Sequence, residues 1–201
     1  IDIPLHLPDF ITIEGASETT KTIVNLTTSP GFIGYNVKGA VLRNLEIDSD
    51  IIGTNGGGIY LTQSEAVLDN ISIKNCEVEK KGGGIYISNS NTPGKLRIIN
   101  SNIDSSRAGI GAGIYLRNSN ISIDNSNIRN NNGVAMPGVA IFENSTVTVN
   151  HCNITDNHSS GLNITYAWDP ESTLNLYQSN CQGGRETTSG TWTLLEDDGL
   201  I

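Results

Sequence analysis

The chain has 201 residues and carries 21 acidic against 12 basic side chains, which gives a net charge of −9 at pH 7. This charge disfavours binding to a phosphate backbone or to an anionic membrane surface, and no apolar run approaches the roughly 18 residues of a membrane-spanning helix. We therefore expect no nucleic-acid partner and no membrane-spanning segment. Hydrophobic residues make up only 36% of the chain, a low share that suits a thin rod with much surface.

A short motif recurs along the chain after an opening strand-like segment. Clear copies of Gly-Ile-Tyr followed by an apolar residue begin at Gly58, Gly84 and Gly113, and weaker copies cover 34–37, 140–143 and 161–164. The first residues of successive copies are 24, 26, 29, 27 and 21 positions apart. A period of roughly 20 to 50 residues is typical of repeat architectures.

A second motif lies between the copies of the first. It reads apolar, any, apolar, any, amide or imidazole, small, polar, apolar, with clear copies at 71–78 and 121–128. Its amide position falls at Asn44, Asn75, Asn100, Asn125, His151 and Gln178. These positions are 31, 25, 25, 26 and 27 residues apart. The alternation inside the motif predicts half-buried strands, and the stretches rich in Gly, Asn and Ser between them predict turns.

The two periods together predict the fold. One coil of about 25 residues cannot bury its own apolar face, whereas stacked coils share a continuous core. We predict an all-β chain that folds as a parallel β-helix of about seven coils, the first incomplete. Residues 1–186 form the predicted β-helix, and residues 187–201 leave the repeat as a C-terminal cap or tail. Because the chain starts with Ile1 inside a strand-like segment, we expect it to be part of a longer chain.

Stacking turns each repeat position into a column of side chains. The aromatic residue of the first motif produces one column, formed by Tyr60, Tyr86, Tyr115 and Phe142. Because its neighbours in the strand are apolar and point inward, we expect the rings to point outward as a flat strip. Such a strip would bind sugar rings or the apolar surface of a partner. The alternative is a structural ladder of rings covered by a loop or a chain end.

A second column should follow the amide of the second motif. Aligning the motif copies puts Glu46 and Glu77 of neighbouring coils at one position. Two residues further on, the copies place Asp48, Glu79 and Asp104, followed by Arg129. Like charges on neighbouring strands repel, so this patch needs a cation or nearby basic side chains.

Three hypotheses remain open for this acidic column. The first is a calcium site formed by those five carboxylates, since Ca²⁺ prefers carboxylate oxygens. The second is an acid and base pair for glycoside cleavage, with the candidates Asp48, Glu77, Glu79, Asp104 and Arg129. The third is a solvated acidic face paired with lysines. We expect no organic cofactor, and calcium is the one candidate ion.

The three cysteines, Cys76, Cys152 and Cys181, provide no disulfide framework. Cys76 and Cys152 align with Ser101 and Ser126 in the second motif, where we expect small buried thiols.

The chain resembles the right-handed parallel β-helix proteins of the pectin-lyase-like superfamily. The segment 3–17 is similar to the early coils of that superfamily, in which a strand precedes a Gly turn and a Thr-Ile pair, here Thr22 and Ile23. The copies of Gly-Gly-Gly-Ile-Tyr are also similar to repeats of polymorphic outer-membrane proteins, whose companion Phe-x-x-Asn motif this chain lacks. The superfamily resemblance implies a right-handed fold, and it leaves open whether the chain is a lyase, a hydrolase, a tailspike or an adhesin.

Three functions follow as expectations. The first is a non-catalytic, adhesin-like rod, extracellular or at the cell surface, that binds a polysaccharide or a cell-surface glycan. The second is a polysaccharide lyase or glycoside hydrolase, and the third is a purely structural repeat segment. The first is preferred, because the chain lacks the Asn-Thr-Asp and Gly-His-Gly signatures of β-helix enzymes, as well as any Asp-Asp pair in a predicted strand.

Overall fold

The computed structural model describes residues 4–162, 165–167, 169, 171–181 and 191–194. Their regular secondary structure is entirely β-strand, arranged in four sheets whose neighbouring strands run in parallel. No helix in this described part is long and apolar enough to cross a membrane.

Each sheet gains one strand per turn of the chain. The first sheet contains Leu5–His6, Phe32–Tyr35, Ile59–Thr62, Ile85–Ser88, Ile114–Arg117, Val139–Phe142 and Thr165–Ala167. The second contains Thr12–Glu14, Ala40–Arg43, Ala66–Asp69, Leu96–Ile99, Asn120–Asp124, Thr146–Asn150, Thr173–Tyr177 and Thr191–Leu194. The third contains Thr22–Leu26, Leu45–Ser49, Ser72–Lys74, Asn102–Asp104, Asn127–Arg129, Asn153–Thr155 and Asn180–Cys181. The fourth contains Ile52–Asn55, Glu77–Lys81, Arg107–Ile110, Asn132–Ala135 and His158–Leu162.

This topology confirms the predicted parallel β-helix. From Phe32–Tyr35 onward, the chain visits the first, second, third and fourth sheets in that order and then returns to the first, one level further along the axis. The turn before it has no strand in the fourth sheet. The described strands amount to about six turns, where the sequence predicts about seven.

The core runs along the axis inside the four sheets. In the strand Ile59–Thr62 of the first sheet, Ile59 and Leu61 are fully buried. The alternate residues Tyr60 and Thr62 point outward. The inward column continues through Ile85 and the other turns in register. Complete burial of such a side chain contributes about 1.5 to 3 kcal/mol, so the stacked Ile, Leu and Val rungs are the main stabilising feature.

Polar residues with left-handed backbone form the corners. Asn44, Asn70, Asn100 and Asn125 all have φ between 49° and 57° at the corner between the second and third sheets. Asparagine adopts this conformation more readily than other residues with a side chain, which explains why it recurs there.

One copy of the second motif is misaligned in the sequence prediction. The strand before Asn100 pairs with Ala66–Asp69, so the equivalent of Asn100 in the preceding turn is Asn70, and Asn75 lies at the next corner. Both corners follow strands with the same alternation, which makes their local sequences look alike. The expected position of Cys76 beside Ser101 is wrong for the same reason.

The corner between the third and fourth sheets contains a buried amide ladder. The side-chain oxygen of Asn131 accepts a hydrogen bond from the backbone N–H of Ser106 at 3.0 Å. The amide nitrogen of Asn131 donates to the carbonyl of Ile103 at 3.1 Å and to the side-chain oxygen of Asn157 at 2.9 Å. These bonds satisfy backbone groups that the corner would otherwise leave unpaired.

The last described strand, Thr191–Leu194, pairs in parallel with Thr173–Tyr177. The predicted boundary at residue 186 and the remainder of the 187–201 segment lie outside the described residues.

Candidate functional site

The predicted aromatic column exists as a stack of rings on the outside of the first sheet. Tyr60 and Tyr86 stack with ring centroids 4.7 Å apart, and Tyr86 and Tyr115 stack at 5.2 Å. Phe142 follows at 5.3 Å from Tyr115, although the register partner of Tyr115 is Ala140. Because Ala140 leaves room above the ring of Tyr115, the ring two residues further along the strand extends the stack.

The expected exposure of this stack is wrong at its centre. Only 9% of Tyr86 and 2% of Tyr115 is exposed. Ile110, the last residue of its strand in the fourth sheet, and Met136, directly after the next strand of that sheet, pack against the rings. The ammonium of Lys81 lies 4.9 Å from the centre of the Tyr115 ring. The geometry at the centre is that of the predicted alternative, a covered structural ladder, and Tyr60 and Phe142 stay half-buried at its ends.

Burial of the stack has a measurable consequence at alkaline pH. Burial raises the pKa of Tyr115 to about 12, and the nearby Tyr86 acts in the same direction. Because the folded state favours the neutral phenol, its stabilising effect is complete below about pH 10, the usual tyrosine pKa, and is lost as the pH rises from there to about 12.

We therefore expect the tyrosinate absorbance of the wild-type protein minus that of Tyr115→Phe to remain flat through pH 10 and to rise near pH 12. A difference curve with its midpoint near pH 10 would show that the Tyr115 phenol is solvated, contrary to its burial.

The predicted acidic column is divided between two sheets. Glu46, Asp48 and Asp104 lie on the outer side of the third sheet, where Lys74 is the register partner of both Asp48 and Asp104. The ammonium of Lys74 pairs with Glu46 at 2.8 Å. Glu77 lies on the fourth sheet in register with Arg107, because the motif copy at 71–78 belongs to the other corner.

The remaining two predicted residues follow the same division. Glu79 lies beside Glu77 on the fourth sheet, whereas Arg129 lies on the third and pairs with Asp104 at 2.9 Å. The structure therefore does not bring the five carboxylates together. Among the described residues, no group of three or more His, Cys, Asp or Glu side chains is placed to hold a metal ion.

Asp104 is held in its ionised form. Burial alone would favour the neutral acid, but hydrogen bonds from Ser105, Asn130 and Arg129 outweigh it and keep the pKa of Asp104 below its usual value. The bond lengths are 2.6 Å, 3.1 Å and 2.9 Å respectively. A carboxylate held this way is a poor proton donor at neutral pH.

A shallow groove lies over the fourth sheet. It has a volume of about 420 Å³ and is lined by three consecutive turns, 77–79, 107–109 and 132–134. Gly109 lacks a side chain, and the register shifts at β-bulges before Lys81 and after Gly133, which leaves the surface over these strands open. Small inward residues behind the groove, Val78 and Ala108, are buried.

The walls of the groove carry polar side chains that a ligand can reach. Glu77, Arg107 and Asn132 occupy one register position in successive strands. The ion pairs found among the described residues involve Arg43, Lys74, Arg97, Arg117 and Arg129, and none includes Arg107. Val134 is 62% exposed and adds an apolar surface beside them.

The sequence prediction named Glu77 and Glu79, which line this groove, but placed them in one column with the acidic residues of the third sheet. It missed Arg107, Asn132 and Val134. The sequence does contain a signal for this column. The corner residues Asn75, Ser105, Asn130 and Asp156 precede the last four strands of the fourth sheet and are 30, 25 and 26 residues apart. Reading the residue two positions after each of them would have predicted the column of Glu77, Arg107 and Asn132.

Comparison with known proteins agrees with this architecture. The family model described as the right-handed β-helix region matches residues 11–193. No curated protein and no solved structure gives a significant match. The match covers most of the 201 residues, and the four stacked parallel sheets are what such a region requires. The chain therefore belongs to the right-handed β-helix family.

Proposed function

We propose that this chain is a non-catalytic, extracellular or cell-surface rod that binds a glycan in the groove over the fourth sheet. The observation that supports it is the open groove of about 420 Å³ with Arg107 on its wall and no ion pair to that arginine among the described residues. Leaving a guanidinium unpaired in a concave surface keeps its donors available to a ligand.

The chemistry of the groove suits sugar hydroxyls. Glu77 and Glu79 only accept hydrogen bonds when ionised, Arg107 only donates, and the amide of Asn132 does both. A hydroxyl group can donate and accept, so the hydroxyls of one sugar can bond both the carboxylate acceptors and the guanidinium donors of the groove. The exposed methyl groups of Val134 offer contact to the C–H face of a ring.

The arrangement of carboxylates supports binding without cleavage. Glycoside hydrolysis requires an acid and a second carboxylate on opposite sides of the scissile bond. Glu77 and Glu79 are two residues apart on one strand and line the same wall of the groove. Asp48 and Asp104 lie on the third sheet, where Asp104 is kept ionised.

Substituting Arg107 tests the proposal. On an array of neutral, acidic and amino-sugar glycans, we expect wild-type protein to bind at least one class and Arg107→Ala to bind it about tenfold more weakly or worse, the loss of one or two charge-assisted hydrogen bonds. The matched control is Arg97→Ala, an exposed arginine that lies near Asp124 on the second sheet. The control should bind like the wild type.

Two results would contradict the proposal. Equal loss of binding in Arg97→Ala and Arg107→Ala would place the ligand elsewhere, and the absence of any bound glycan would remove the function. Release of new reducing ends or of unsaturated sugars from a bound polysaccharide would instead favour the enzyme alternative.

A further inference from the structure

The groove has a repeat of its own, because each turn of the β-helix contributes the same register position to its wall. Glu77 pairs in register with Arg107, and Arg107 with Asn132. Neighbouring parallel strands are about 4.8 Å apart, so the three side chains form a row along the rod axis with that spacing. The length of one pyranose unit in an extended glycan is close to this spacing.

Resting on the proposed glycan binding, we propose that the groove takes a neutral oligosaccharide of three units, one unit per turn. The number three follows from the lining, which comes from three turns, 77–79, 107–109 and 132–134. On one side the row continues to Ile52, which is 62% exposed and has no hydrogen-bonding group in its side chain. Polar contact therefore ends at Glu77 in that direction.

On the other side the row continues to His158, which is in register with Asn132. His158 does not line the groove. The groove is therefore confined to the three lining turns. A fourth unit would lie beyond it and would gain little from the wall.

The charges of the groove select against uronates. The lining contains two carboxylates, Glu77 and Glu79, and one guanidinium, Arg107. The groove is therefore net acidic, and it lies on a chain of net charge −9. A uronate in each unit would place three further carboxylates against this wall, whereas neutral hydroxyls meet acceptors at Glu77 and donors at Arg107 without repulsion.

Calorimetric titration with oligosaccharides of increasing length tests the inference. The probes are β-1,4-linked glucose, mannose and N-acetylglucosamine oligosaccharides of one to five units, with oligogalacturonates of the same lengths for comparison. For at least one neutral series, we expect each unit up to the third to strengthen binding by roughly tenfold and the fourth and fifth to change it less than about twofold. The oligogalacturonates should bind more weakly.

A variant at one end of the row sharpens the test. Asn132→Ala should weaken binding of the three-unit probe to about that of the two-unit probe and leave the two-unit probe unchanged, because two units still reach Glu77 and Arg107. The control is Asn127→Ala, an exposed amide on the third sheet, which should change neither.

The outcomes separate this inference from the proposed function. Tighter binding of oligogalacturonates, a gain that continues to five units, or equal affinity at all lengths would overturn the three-unit neutral groove while glycan binding stands. Loss of both probes in Asn132→Ala would also overturn it. If none of the glycans on the array or in the series binds, the proposed function fails and this inference fails with it.

Discussion

Replacing Asn131 by alanine is expected to lower the free energy of unfolding by about 4 kcal/mol, because three buried hydrogen bonds are lost and one buried N–H is left without a partner. Asn131 is completely buried, and its side chain bonds the backbone of Ser106 and Ile103 and the side chain of Asn157. Alanine would leave the N–H of Ser106 unpaired, which costs about 1 to 3 kcal/mol, and would also remove the bonds of the Asn131 amide nitrogen to Ile103 and Asn157. In a domain of this size, the melting temperature should fall by about 10 °C.

Thermal unfolding followed by circular dichroism measures this effect. The matched control is Asn132→Ala, the next residue along the chain, which is exposed on the outer side of the fourth sheet. Its effect should remain within about 0.5 kcal/mol. If Asn131→Ala and Asn132→Ala melt at the same temperature, the amide ladder does not stabilise the corner in the way its bond lengths indicate.

The recurring motif was sufficient to predict the fold because the isoleucine of each strong copy packs in the core. Ile59, Ile85 and Ile114 are fully buried and in register, as the motif requires. The weak copies were aligned at the wrong residues. The register partner of Ile114 in the next turn is Val139, so Gly138 is the equivalent of Gly113. The sequence prediction had placed Ala140 at that glycine position. A substitution at the aromatic position weakened the pattern there without changing the backbone.

The candidate site was less predictable because it depends on which corner follows which. Asn75 resembles Asn100 in local sequence, and only the pairing of Leu96–Ile99 with Ala66–Asp69 shows that they occupy different corners. Because of this misalignment, the sequence prediction grouped Glu77 and Glu79 with residues of the third sheet and did not identify Arg107 as their neighbour. Burial of Tyr115 could not be read from alternation either, since the covering residues Ile110 and Met136 belong to a different part of the turn.

The glycine of the recurring motif has a steric cause that leads to the second large prediction. A Cβ atom added at Gly113 would lie 2.6 Å from the carbonyl oxygen of Gly138 and 2.9 Å from a methyl group of Ile128. It would also lie 3.1 Å from the amide nitrogen of Asn131. Gly58 and Gly84 face the same two kinds of atom, a carbonyl of the next turn and an Ile methyl of the third sheet. The turns therefore stack too closely at this position for any side chain.

Gly113→Ala should accordingly lower the free energy of unfolding by about 3 kcal/mol, because a backbone carbonyl held in a parallel ladder has little freedom to move away. The control is Gly94→Ala, where an added Cβ meets nothing within 4 Å but φ is +70°. The left-handed conformation alone should cost about 1 kcal/mol there. Chemical denaturation with an unchanged m value gives both numbers. An equal or greater loss in Gly94→Ala would mean that backbone conformation, not close stacking, keeps glycine in the motif.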